Sequence, residues 1–152
     1  MSLSKPGGEI NADVYFQAAQ DHANSLVRLY EDKQYVLTVY VAGLAAECLI
    51  RAFRARKGLP FRSDHPLIDL AREGGFPELV PSVHRAAFDA ALSNLILHWR
   101  NNHRFRSNAA LKRFFKDLKL DRHIKGDYLK ENARLLSSNV LELAGLGVMK
   151  WR

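Results

Sequence analysis

Apolar residues recur along most of this chain every three or four positions, the spacing that places them on one face of an α-helix. Alternation of apolar and polar residues, the pattern of a half-buried strand, is not sustained anywhere, and no Asn-Gly or Asp-Gly hairpin signal occurs. The pattern therefore predicts an all-α fold, an antiparallel helical bundle of four long helices with one or two short ones. The predicted helices cover about residues 11–30, 34–57, 64–73, 82–100, 108–118 and 127–150.

The second predicted helix is apolar on nearly all sides, so it should be the central one. Its uncharged run YVLTVYVAGLAA, residues 35–46, is shorter than the roughly 20 residues that cross a bilayer. We interpret it as a buried helix of a soluble protein. The single cysteine, Cys48, lies in this helix and favours a reduced compartment, which predicts a cytoplasmic protein.

The N-terminal MSLSKPGGE is polar, is rich in Gly and Pro, and lacks the apolar core of a secretory signal. We predict a flexible tail over residues 1–10 and a single domain over residues 11–152.

The formal net charge is +7, which favours polyanionic partners. Residues 98–120 carry seven Lys and Arg and one acid, Asp117. For this stretch a nucleic-acid surface and a merely solvated face are both open. Residues 51–62 carry five Lys and Arg and no acid, and there we favour a solvated helix end that complements the helix dipole.

Three segments, taken in order, resemble the HEPN domain over roughly residues 12–148. AGLAAECLIRAF is similar to the family's A-x-x-x-A-E-x-x-L-K-x-L helix, and DHPLIDL to a His-Asp-Leu-like element. WRNNHRFRS follows before a short and a long helix. The resemblance implies a small all-α bundle of the kind found with nucleotidyltransferases and in toxin–antitoxin and defence systems.

Many HEPN domains are metal-independent ribonucleases, with an Arg, a polar residue, and a His after four to six intervening residues. In such a site His moves a proton and Arg stabilises phosphate charge while the ribose 2′-hydroxyl attacks. None of the six histidines here has an Arg at that spacing. The closest match is Arg100-Asn101-Asn102-His103, which makes Arg100 and His103 the catalytic candidates because positions three apart share a helix face. The short spacing favours a non-catalytic binding or partner module; the alternative is a ribonuclease toxin with a compressed motif.

The other candidates for ligand binding are polar residues of the same stretch and one acid. Glu47 is the lone carboxylate of an apolar helix, so we expect it either to pair with Arg100 or His98 or to reach solvent at the bundle edge. No metal or cofactor is expected, since no HExxH, Cys/His spacing or Gly-rich phosphate loop occurs. The ligand-binding candidates are Glu47, His98, Asn101, Asn102, Arg104 and Arg106.

Aromatic residues flank the basic run and suit either base stacking or the core. Of Trp99, Phe105, Phe114 and Phe115, we expect Trp99 and Phe115 in the core. HEPN domains commonly pair through the corresponding segment, and Leu95, Trp99 and Phe105 beside Arg and His are typical of an interface. We therefore expect a homodimer that tightens with phosphate, sulfate or RNA between its two basic patches. The expected partners are RNA or a nucleotide, and a nucleotidyltransferase or antitoxin protein, with no membrane.

Overall fold

The computed structural model describes residues 10–63 and 67–151, apart from the side chains of Leu79 and Asn101. All regular structure in these ranges is helical, so the predicted all-α class is confirmed. Two 3-10 helices, Ser82–His84 and Asn101–Phe105, flank the fifth α-helix. The α-helices are α1 (Ala12–Glu31), α2 (Tyr35–Arg56), α3 (Leu67–Glu73), α4 (Phe76–Leu79), α5 (Arg85–His98), α6 (Asn108–Asp117) and α7 (Tyr128–Trp151).

The described ranges contain four long α-helices in the predicted order and three shorter ones. The additional short helix, α4, has only four residues, too few for a periodic signal. The predicted tail up to residue 9 and the predicted start of α3 at residues 64–66 lie outside the described residues.

Helix α2 is the centre of the fold. It packs against α1, α3, α6, α7 and the 3-10 helix Asn101–Phe105. Its buried residues include Val39, Leu49 and Phe53. Among the described residues it is the one helix long and apolar enough to cross a bilayer, and 56% of its most apolar window is buried inside the structure.

Gly43 of α2 leaves room for the side chain of Trp99, which follows the end of α5. The indole of Trp99 lies directly on Gly43, where any Cβ would overlap its five-membered ring. The indole Nε1 donates to the Tyr40 carbonyl, 3.1 Å away. This seat pins the chain to α2 at the point where α5 ends, and it confirms Trp99 as a partly buried residue packed against the core.

The α5 segment is shorter than predicted, because the chain leaves the helix to seat Trp99. Helix α5 ends at His98, and both Trp99 (φ −101, ψ 137) and Arg100 (φ −138, ψ 143) are extended. Arg100 Nη1 donates to the carbonyls of Ile96 (2.8 Å) and Trp99 (2.7 Å). The last carbonyls of a helix have no hydrogen-bond donor within the helix. The Arg100 guanidinium supplies such a donor to the Ile96 carbonyl of α5.

Candidate nucleic-acid interface

His98, the last residue of α5, is a buried tie between α5 and α7. It is 2% exposed. Its Nδ1 and Nε2 lie 2.8 Å from the Asn94 carbonyl and from Asn132 Oδ1. Asn132 Nδ2 donates to the carbonyls of Leu120 (3.1 Å) and Tyr128 (2.8 Å), which fixes the orientation of the amide. Both ring nitrogens thus face oxygen atoms, one on α5 and one on α7, so the ring joins the two helices.

His103 is a core side chain. It is 0% exposed, and its Nε2 donates to the His98 carbonyl at 2.8 Å. The ring packs edge-on to Phe114 and Phe115, with centroid separations of 4.8 and 6.4 Å. Its buried Nδ1 has no hydrogen-bond partner among the described residues. Burial lowers the pKa of His103, the bond to the His98 carbonyl opposes this, and Arg106 and Arg100 lower the pKa further.

Arg100 and His103 do not share a helical face. That expectation was wrong because it required α5 to continue through residue 103, whereas the chain is extended at Arg100. The Arg100 side chain is exposed and turns back to cap α5, while the His103 ring turns into the core. In this structure the two candidate catalytic side chains therefore point to different environments.

Two guanidinium groups of this region lie over the ring of Phe114. Those of Arg100 and Arg106 lie 5.5 and 4.9 Å from its ring centroid, within the range of a cation–π contact. Arg106 is half-buried, and its Nε has no partner among the described residues. Arg104 is exposed and its guanidinium stacks 4.6 Å from the ring of Phe105, which is itself 76% exposed.

The two asparagine candidates, Asn101 and Asn102, both lie on the 3-10 helix Asn101–Phe105. Asn102 is exposed on the 3-10 helix. Asn101 lies at the start of the same helix, and its side chain is outside the described set.

Glu47 belongs to a different contact from the expected one. Its Oε1 lies 3.2 Å from Arg51 Nη2, one turn along α2, so the predicted pairing with Arg100 or His98 is wrong. The physical reason is local: positions four apart face each other on a helix. His98 already has two oxygen neighbours, and Arg100 is turned to the carbonyls of α5. Burial, together with the charge of Glu47, raises the pKa of neighbouring Cys48 to about 11 against the opposing effect of Arg51, so its thiol stays protonated at neutral pH.

Helix α6 displays cations on the face away from the core. Ser107 caps the helix by accepting from the Ala110 N–H at 3.1 Å, and Leu111 and Phe115 point inward with 0% exposure. Phe115 is thereby confirmed as core. We use the name basic surface for the exposed cations of this region together with Phe105. These cations are Arg100, Arg104, Lys112, Arg113, Lys116 and Lys119.

Sequence reasoning missed Asn132, which completes the His98 tie. Its signal is present: Asn132 is a polar residue within the apolar stripe Leu129, Ala133, Leu136, and it is 3% exposed. A buried polar side chain needs a hydrogen-bonding partner. That rule pointed to a polar residue on a neighbouring helix, without saying which one.

No group of three or more His, Cys, Asp or Glu that could hold a metal ion occurs in the ranges that the structure describes. Comparison of the chain with protein-family models, with curated proteins and with solved structures gives no match.

Proposed function

We propose that this chain is a HEPN-like bundle that binds RNA through its basic surface and does not cleave it. The single observation that carries the proposal is the contrast in burial between the histidines and the cations of residues 98–119. The two histidines are buried and bonded to carbonyl and amide oxygens, whereas all the cations except the half-buried Arg106 are exposed.

The burial of His103 argues against a catalytic role in this conformation. A general acid or base must come within about 2.6–3.2 Å of the proton that it moves, directly or through one water. The His103 ring is 0% exposed and its Nε2 is engaged with the His98 carbonyl. A ribose hydroxyl at the surface therefore cannot reach either nitrogen unless residues 99–106 first move away.

The exposed groups suit a single-stranded polyanion. Binding of Lys and Arg to phosphates releases counterions, and exposed aromatic rings stack on bases without regard to sequence. Phe105 and Arg104 form a stacked pair that offers both interactions at one place. A base stacked on Phe105 would cover a ring that is 76% exposed.

The test is a fluorescence-anisotropy titration with a labelled single-stranded RNA of mixed sequence, repeated over a series of salt concentrations. We expect Phe105→Ala to weaken binding by about 1–3 kcal/mol, the usual value of one stacked base. Lys112→Gln should reduce the slope of log K against log salt by about 0.7, the value of one phosphate contact on a single strand. The matched control is Arg28→Gln, which removes a cation whose side chain is 87% exposed on α1 and should leave both quantities unchanged.

Cleavage is measured on the same RNA in the presence of a metal chelator. We expect intact RNA after long incubation. Cleavage that disappears in His103→Gln, with the variant still folded by circular dichroism, would instead establish the metal-independent ribonuclease alternative.

The resemblance supplies the wider setting of this proposal. Within it, the module works in the cytoplasm beside a nucleotidyltransferase or an antitoxin, as part of a toxin–antitoxin or defence system. Co-expression with the product of an adjacent gene, followed by purification of the tagged chain, tests this. A partner that leaves the complex when Phe105 is changed to Ala would place the contact on the basic surface.

A further inference from the structure

A cleft of about 500 Å³ opens where the ends of α2 and α7 meet the turn between α3 and α4. It shares no lining residue with the basic surface. Of the eight described residues that line it, four are cations and one, Glu78, is an acid. Lys and Arg make up 23 of the 152 residues of the chain, so positive charge is concentrated here. The four cations are Arg56, Lys57, Arg72 and Lys150.

Two buried glycines bring the α3–α4 turn, and Arg72 with it, against the end of α2. A Cβ on Gly74 would lie 3.0 Å from the backbone nitrogen of Arg54, and a Cβ on Gly75 would overlap the amine of Lys57. Gly75 also has a φ of +70°, which residues with a Cβ rarely adopt. Because only glycine permits this close approach, Arg72 and Lys57 come to line the same cleft.

Trp151 holds the end of α7 at the same place. Its ring stacks on Phe16 with a centroid separation of 4.4 Å and meets the edge of Phe53 at 5.1 Å. The Arg56 guanidinium lies 4.6 Å from the centroid of this indole, and its Nη1 donates to the Trp151 carbonyl. Lys150, the neighbour of Trp151, is thereby brought to the cleft from a third element.

The fold leaves part of this positive charge unbalanced. Lys57, Arg72 and Lys150 have no ion-pair or side-chain hydrogen-bond partner in the described part of the chain. Arg56, Arg72 and Lys150 stand in the last turns of α2, α3 and α7, where each helix end carries up to about half a negative charge. With Glu78, these helix ends offset about two and a half of the four positive charges. The remainder lines a concave surface, which focuses the field on an approaching anion.

We propose that this cleft binds the polyphosphate group of a small molecule, either free or carried on a nucleoside. A polyphosphate concentrates several charges in a small volume and offers many oxygens to guanidinium and ammonium groups, whereas an acidic peptide spreads its charges along the chain. The described lining offers no open ring for a base, since Phe53 is 4% exposed and packs edge-on to Phe76 and Trp151. Recognition therefore rests on the phosphate groups.

Isothermal titration of the whole chain, at low salt and without divalent cations, measures binding of tripolyphosphate and ATP. We expect at least one of them to bind with a Kd below about 1 mM and about tenfold more tightly than AMP or inorganic phosphate. Tighter binding of ATP would identify a nucleotide as the source, and equal or tighter binding of tripolyphosphate a free polyphosphate. Failure of both to bind at that level, or equal binding of a tetra-aspartate peptide, overturns the proposal.

Single substitutions locate the bound anion. Arg72→Gln and Lys150→Gln should each weaken binding about fivefold, the effect in water of one unit charge about 4 Å away. Glu78→Gln removes an acid from the lining and should strengthen binding by a similar factor. The matched control is Lys112→Gln, which removes an exposed cation of the basic surface and should leave the affinity within about twofold. An equal loss in the control, or unchanged affinity in both cleft variants, contradicts the assignment.

Amide chemical shifts of the unmodified protein give an independent location. Titration with tripolyphosphate should move the amides of Lys57, Gly74 and Gly75, which surround the cleft. Shifts confined to residues 104–119 would assign the anion to the basic surface and overturn the cleft. The proposal does not rest on RNA binding, which Arg72→Gln should leave unchanged.

Discussion

Replacing Gly43 by alanine should unseat Trp99 and destabilise the whole fold. A Cβ at this position would overlap the five-membered ring of the indole, and real Cβ atoms essentially never approach a neighbour within 3.0 Å. The ring cannot slide far while its Nε1 stays bonded to the Tyr40 carbonyl. The added methyl group and the indole therefore compete for the same space on α2.

The cost follows from what the indole loses. Complete removal of a buried tryptophan side chain costs about 3–5 kcal/mol, and the half-buried Trp99 belongs at the lower end, about 3. The bond to Tyr40 adds about 1 kcal/mol. Alanine is a better helix former than glycine, which offsets about 1 kcal/mol. The net destabilisation is about 3 kcal/mol, or a fall in Tm of about 6–12 °C for a chain of this length.

Urea unfolding followed by circular dichroism measures this free energy. The control is Gly145→Ala, a helical glycine on α7 with nothing within 4 Å of a Cβ, which should raise stability by about 0.5–1 kcal/mol. In a Trp99→Ala background, Gly43→Ala should also become neutral or stabilising, since the clash is gone. A Gly43→Ala variant as stable as the wild type, or one equally destabilised in both backgrounds, would refute the reasoning.

Three further outcomes are expected. Glu73→Gln should lower the urea midpoint of unfolding because it leaves the buried Arg54 without its carboxylate, whereas exposed Glu78→Gln should not. The lowered pKa of His103 means that the unfolded chain binds more protons below about pH 6.5, so stability should fall from there down to the folded pKa, and less so in His103→Gln. Light scattering should show a homodimer strengthened by phosphate or sulfate, and a mass that stays at 17.3 kDa with added anion would exclude it.

The helices were predictable because their apolar stripes are long. Asn11 and Ser107 cap α1 and α6 by accepting the backbone N–H of Val14 and Ala110, and Asn and Ser are residue types that favour this position in any sequence. The end of α5 was not predictable in this way, because the apolar spacing continues through Trp99. What ends the helix there is a tertiary contact with Gly43, 56 positions earlier in the chain, which no local pattern records.

The same limit explains the errors around the candidate site. The sequence shows that Arg100 and His103 are three residues apart, but it does not show the backbone conformation between them. The extended backbone at Arg100 is what turns the two side chains in different directions. Of the three apolar residues expected at a dimer interface, Leu95 is 0% exposed and Trp99 is seated on α2, which leaves Phe105. Exposure of a given aromatic depends on which helices surround it, and a periodic pattern does not contain that information.

The packing of Trp99 on α2 also determines how easily His103 could become exposed to a substrate. To expose the imidazole, residues 99–106 would have to leave α2, giving up the Trp99 contact and the hydrogen bond from His103 to the His98 carbonyl. These losses total about 5 kcal/mol, so the open form would be about one molecule in several thousand. A ligand could stabilise that form only by binding it more tightly than the closed one. The cations of the basic surface are already exposed in the closed form, and a polyanion held by them has little reason to favour opening. The arrangement that leaves these charges exposed is thus the one that keeps the histidine buried.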